Sequence, residues 1–218
     1  MAVCLDESLI LLMESTKPTA QNLSRRKTVF GVGVNDVDFI TSIEIPNGVS
    51  QDHPAYSCWR NMLKRCYDTS SLTAEPTYND VEVCKEWTRF SNFYLFWKKN
   101  SLPDYHLDKD ILFPGNRVYS ESACIFIPAW VNTFINVKNK KNDLPIGVYK
   151  HTKNNMFIAD LSKNGKSNYL GSYSNPVAAN HAWGIAKLGH LHELKQKLDE
   201  VDVRLFPKMF SLIVDLIV

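Results

Sequence analysis

The spacing of apolar and polar positions divides the chain into stretches of different character. Residues 1–50 are weakly patterned; within them residues 29–34 read as a short strand in glycine-containing surroundings, and Gly48 closes the region. From His53 the period becomes helical. Asp52 and Pro54 read as an N-cap and a first-turn proline, and Trp59, Met62, Leu63 and Cys66 follow at helical spacing. A second helix is predicted over residues 85–99, where Trp87, Phe90, Tyr94 and Trp97 share a face, joined by Phe93 and Phe96. An aromatic stripe of this kind either stacks on bases or packs into a core. Helical periodicity is what a core produces, so burial against the first helix is expected.

Residues 116–136 read as a turn, a short apolar strand at 124–127 and a helix starting near Pro128. The polar stretch at 136–143 has no apolar period and reads as a linker. Beyond it the pattern is strand, strand, strand, helix: 146–151, 156–162 with alternating burial, a hairpin turn at Lys163-Asn164-Gly165-Lys166, and 169–173. Asn175 and Pro176 then open a helix carrying Ala178, Ala179, Ala182, Trp183 and Ala186. Small residues let such a helix lie close on a sheet and leave the sheet's other face free.

Composition narrows the class. A chain of 218 residues with 44% hydrophobic and 22% charged residues is in the globular range. The five cysteines, Cys4, Cys58, Cys66, Cys84 and Cys124, are odd in number and without C-x-x-C spacing, so a reduced intracellular chain is expected. A zinc site from Cys66, Cys84 and Cys124 is the alternative to buried thiols, which pack as small hydrophobes. The apolar run at 9–13 follows Asp6 and Glu7, the wrong charge for a signal peptide. Residues 209–218 are strongly apolar but too short for a bilayer and contain Asp215; they read as a terminal element docked on the core or on a partner, and no membrane association is expected.

The net charge of +2 excludes a simple polycation and an acidic nucleic-acid mimic. Basic charge is nevertheless concentrated: Lys138, Lys140, Lys141, Lys150, Lys153, Lys163 and Lys166 stand against Asp143 and Asp160. Lysines on strand ends and hairpins suit contact with phosphates more than reading of bases.

Two resemblances follow. The series Ile146-Gly147-Val148-Tyr149, Phe157-Ile158-Ala159-Asp160-Leu161, Tyr169-Leu170-Gly171-Ser172-Tyr173 and Pro176-Val177-Ala178-Ala179, with Ala182 and Trp183, resembles the Apetala-two (ethylene-response-factor type) DNA-binding domain. The resemblance implies a three-stranded sheet on one helix, with the sheet in the major groove of double-stranded DNA. Tyr149, Lys150, His151, Lys153, Lys163 and Lys166 are its candidate DNA contacts. The arginines that this family uses to read guanine are absent from the segment.

His106-Leu107-Asp108, Asp110, Gly115-Asn116 and residues 122–128 ending at Asn132 are similar in spacing to an HNH (ββα-metal) nuclease of homing-endonuclease type. That similarity implies His106 as general base, Asn116 ordering the loop, and Asn132 with Asp108 or Asp110 holding one Mg²⁺ for phosphodiester hydrolysis. Ala123 stands where the nuclease pattern has Asn, and Tyr105 where a second His or carboxylate is common. Phage and mobile-element proteins join such units, which implies action in a host cytoplasm.

The fold class expected is α+β: an N-terminal extension over 1–52, an HNH-like unit over 53–136, a linker over 137–144, an Apetala-two-like domain over 145–200 and an apolar tail over 201–218. The function expected is double-stranded DNA binding, with metal-assisted cleavage or as a catalytically inactive regulatory protein using the same module. An interaction protein working through the aromatic helix and the apolar C-terminus is the third class.

Overall fold

Residues 7–45, 48–135, 143–152 and 154–218 are described in the computed structural model, and they form a mixed α and β chain. It divides into two compact units, Met1–Phe126 and Ile127–Val218. The division falls ahead of the polar stretch predicted as linker, most of which lies outside the described residues.

The first unit contains α1 (Glu7–Ser15), α2 (Ala20–Ser24), β1 (Ser42–Glu44), β2 (Ser50–Asp52), α3 (Pro54–Tyr67), α4 (Thr69–Ala74), β3 (Glu82–Val83), α5 (Phe90–Asn100), β4 (Tyr105–Asp108) and β5 (Val118–Tyr119). Strands β1 and β2 pair antiparallel, and β3 and β5 pair parallel. Helix α3 starts where the proline places it, but its cap is His53, whose Nδ1 accepts the Ala55 N–H at 3.2 Å. Asp52, expected in that role, pairs with Arg60 at 2.9 Å instead.

The aromatic stripe is core. Trp87, Phe90, Phe93 and Phe96 are buried with Trp59, Met62 and Leu63 in one cluster, and the Trp59 indole N–H donates to the Trp87 carbonyl at 2.6 Å. The helix predicted over 85–99 is interrupted, however. Lys85–Thr88 is a 3-10 turn, Arg89 is extended, and α5 begins at Phe90. Asp36 explains the break: its carboxylate accepts the Ser91 N–H at 2.9 Å and the Ser91 hydroxyl at 2.7 Å, and it pairs with Arg89 at 2.9 Å. A carboxylate on the first turn satisfies an orphan N–H and the helix dipole together. Burial alone would raise this carboxyl, but the Ser91 and Arg89 contacts hold it below its ordinary value.

Residues 29–34 form no strand. The segment doubles back through a Val29–Gly33 bridge, with Phe30 at φ 48° and Gly31 at φ 76°. Gly33 is required there, because a Cβ would lie 2.4 Å from Leu63 and 2.8 Å from Trp59. Nor is the N-terminal region a separate extension: Met13 is fully buried, and Val37 and Phe39 belong to the Trp59 cluster.

Strand β6 (Ile125–Pro128) runs across the division and leads into α6 (Ala129–Ile135). The second unit continues with β7 (Val148–Lys150), β8 (Phe157–Lys163), β9 (Lys166–Tyr173), α7 (Pro176–Glu193), α8 (Lys195–Val201) and α9 (Leu205–Val214). β7, β8 and β9 form an antiparallel sheet in chain order. Asn164 and Gly165 both have positive φ, 53° and 73°, which matches a tight hairpin turn to the twist of its strands. Asn175 caps α7 by accepting the Ala178 N–H at 2.8 Å.

Two surfaces of α7 are used. Ala179 meets Val148 and Ala159 of the sheet, and Gly147 leaves the space that the Trp183 indole fills. Elsewhere Gly184 admits Ile217, and Leu205, Met209 and Ile213 of the C-terminal region are buried. Asn180, fully buried, joins these parts. Its amide N–H groups donate to the carbonyls of Ile146 (3.0 Å) and Leu216 (3.3 Å), and its Oδ1 accepts the Val218 N–H (2.9 Å). Lys187 is also buried; its ammonium donates to the Phe134 carbonyl at 2.9 Å and sits 3.6 Å from that ring's centre.

Asn180→Ala removes the partner of three backbone groups at once and is expected to destabilise the protein by about 2–3 kcal/mol, read by urea unfolding; an unchanged midpoint would show that these bonds are replaced by water. Lys187 makes stability depend on pH. Burial pulls its pKa from the ordinary 10.5 down to about 8. The folded state therefore sheds this proton first, and the cost of burying the charge, complete below pH 8, is relieved as pH rises toward 10.5. Relative to Lys187→Met, the native protein is expected to gain about 2–3 kcal/mol across that window; parallel pH profiles for the two would refute the buried-charge reading.

Candidate nucleic-acid interface

The sheet has one face covered by α7 and one face open. Pairing aligns Tyr149 with Ile158 and Ile158 with Ser172, Asp160 with Tyr169, and Ser162 with Ser167. These residues line the open face, where Tyr149 is 39% exposed and Tyr169 65%. Ser162, Ser167 and Ser172 are exposed, while Ile158 in the middle strand is buried. The Ser167 hydroxyl donates to the Asp160 carboxylate.

A bulge between Ala159 and Asp160 determines this arrangement. Ala159 pairs with Gly171 and Asp160 with Tyr169, so Leu170 is an extra residue that packs toward the Ala179 cluster. Strict alternation would put Tyr169 on the same side as Tyr173, which packs toward α7. The inserted residue turns Tyr169 outward. Tyr169 and the three serines are the candidate contacts that sequence reasoning missed, since only the register reveals them.

The predicted lysines occupy the sheet's ends. Lys150 closes β7 and Lys166 opens β9, both exposed. Lys163 is differently placed: its ammonium pairs with Glu193 at 2.6 Å near the end of α7, and this bond is the main cause holding the Glu193 carboxyl below its ordinary value. His151 follows β7 and its N–H donates to the Met156 carbonyl at 2.9 Å. Lys153, like Lys138, Lys140 and Lys141, lies outside the described residues.

The nuclease-like residues appear in the expected chain order, strand β4, loop, strand β6, helix α6, but the carboxylates have other work. His106 is exposed on β4. Asp108 accepts the N–H groups of Asp110 (2.9 Å) and Ile111 (2.7 Å), and burial raises its carboxyl above the ordinary value in spite of them. Asp110 is paired at 2.6 Å with the ammonium of Lys109, a buried side chain that also donates to the Asn116 carbonyl at 2.8 Å. Asn116 does order the loop: its amide donates to Lys109 and Val118, and its Oδ1 accepts the Val118 N–H.

Asn132 lies on α6 in the second unit, and Asp108 and Asp110 lie in the first. An ammonium already neutralises Asp110, and two backbone donors occupy Asp108. These residues do not fit a divalent cation. Among the described residues, no three His, Cys, Asp or Glu side chains converge as metal ligands. Burial pushes the Cys66 thiol up to about 11 and the Cys124 thiol up to about 12, as befits packed thiols.

Among the described residues, no helix is long and apolar enough to cross a membrane. No protein-family model matches the chain, and neither does any curated protein or any solved structure.

Proposed function

We propose that the protein binds double-stranded DNA, laying the open face of the β7–β9 sheet in the major groove, and that it does so without cutting the backbone. The observation that carries this reading is the open face itself, with its two exposed tyrosines, its serine rows and its lysine-bearing ends. Three strands about 4.8 Å apart make a ribbon about 10 Å across, and the major groove is about 12 Å wide. Tyrosine and serine hydroxyls both donate and accept, so they suit base edges and phosphates alike.

Lys150 and Lys166 stand at the sheet's ends, in register with Phe157 and Lys163 on the α7 side, and their long side chains supply charge to flanking phosphates. Asp160 would be repelled by a phosphate but suits the groove floor, where the cytosine amino group is a donor. The resemblance to the Apetala-two domain supports the same docking. With no arginine for bidentate guanine contact, sequence preference rests on weaker hydroxyl and carboxylate contacts. The cleavage reading has no such support, because the carboxylates it needs are committed to Lys109 and to the loop backbone.

Fluorescence anisotropy with a duplex across a salt series tests the binding surface. Lys150→Ala with Lys166→Ala is expected to weaken binding and to lower the slope of log K against log salt by about 2, roughly 0.9 for each phosphate that is no longer neutralised. Tyr169→Ala is expected to weaken binding at a nearly constant slope; an unchanged slope in the double variant together with an inert Tyr169→Ala would sink the proposal. A supercoiled-plasmid assay with Mg²⁺ separates binding from hydrolysis. Neither the native protein nor His106→Ala is expected to nick, and metal-dependent nicking abolished in the variant would restore the nuclease.

A further inference from the structure

The first unit contains a cleft of about 580 Å³ between the segment after α2 and the start of α3, within the size range of small-ligand sites. Its wall is unusually cationic. Arg25, Arg26, Lys27 and Arg60 line it, and Asp52 is the one acid among its lining residues.

Asp52 is already paired with Arg60. Arg26 is gripped by three neutral carbonyls, those of Asn35 (3.2 Å), Val37 (2.6 Å) and Phe39 (2.9 Å). These bonds fix the guanidinium without neutralising it. Among the described residues neither Arg26, Arg25 nor Lys27 has a carboxylate within ion-pair reach. A held cation without a direct ion pair, flanked by two exposed ones, favours an anion.

Two further features make the cleft more than an anion site. Phe30 and Tyr56 bring aromatic rings to its wall. Phe30 is held there in a positive-φ conformation by the tight turn that Gly33 locks against Trp59 and Leu63. Backbone of this kind persists only where its surroundings over-determine it. Asn35, also in the wall, donates from Nδ2 to Thr41 at 3.0 Å, while its Oδ1 is buried with no hydrogen-bond partner.

We infer that this cleft binds a nucleotide, its phosphate against Arg25, Arg26 and Lys27 and its base against Phe30 and Tyr56. The same chemistry is offered by a free nucleotide and by a nucleotide within a single strand. The inference does not depend on duplex binding by the second unit.

Calorimetric titration of the full chain with AMP, adenosine, inorganic phosphate and a single-stranded tetranucleotide tests it. AMP is expected to bind at least about tenfold more tightly than adenosine or phosphate. Arg25→Ala with Lys27→Ala, both exposed positions, is expected to weaken AMP by about tenfold or more. Phe30→Gly removes the ring while tolerating the backbone conformation, and it too is expected to weaken AMP. Tetranucleotide binding tighter than AMP would assign the site to a strand, and weaker binding to a free nucleotide. Phosphate binding as tightly as AMP, no AMP binding, or unchanged affinity in the Arg25/Lys27 variant overturns the inference. Lys150→Ala with Lys166→Ala should leave AMP affinity intact, so failure of the duplex reading and failure of this one are told apart.

Discussion

The second unit is organised around a buried amide. Asn180 stands in the middle of a helix that must receive a sheet on one side and the chain's C-terminus on another, and three backbone groups there would otherwise lack partners. A hydrophobic side chain would pack as well but would leave those groups unsatisfied, which costs more than the packing returns. The polar contact therefore specifies which segments meet, while Ala179, Trp183 and Gly184 supply the close approach. With α7 engaged on both surfaces, the far side of the sheet carries the exposed Tyr149 and Tyr169.

The open face owes its character to one extra residue. The bulge at Ala159/Asp160 lets Gly171 and Leu170 both serve the covered side, and it returns Tyr169 to the open side beside Asp160. Charge is placed around that face more than on it. The lysine row that reads as one cationic run divides in the fold: Lys150 and Lys166 are exposed at strand ends, whereas Lys163 is spent on Glu193. In the first unit the ammonium of the buried Lys109 is paired with Asp110.

Much of the architecture was legible because it rests on short-range rules. The proline and its neighbours placed the start of α3, Asn175-Pro176 placed α7, and Asn164-Gly165 placed the hairpin, since capping and left-handed backbone depend on residues a few positions apart. The aromatic stripe was correctly a core feature because periodicity reports burial. The misreadings share a cause. Residues 29–34 looked like a strand until Gly33 was seen pressed against Trp59 and Leu63, and the helix at 85–99 looked continuous until Asp36 was found capping it at Ser91. The nuclease-like spacing was genuine as a chain order, yet spacing cannot say which carboxylates are already taken.

By itself, then, the sequence determined the mixed α and β class, the three-stranded sheet with its helix, the aromatic core and the regional concentration of lysine. Each follows from local propensity, hydrophobic period or composition, which the linear order contains. Tertiary structure alone decided the outward turn of Tyr169, the pairing of Lys163 with Glu193, the commitment of Asp108 and Asp110, and the grip of three carbonyls on Arg26 in its cleft. Those are contacts between residues remote in the chain or shifts of register by one position. Their energies depend on burial and on distance, quantities that exist only once the chain has closed on itself.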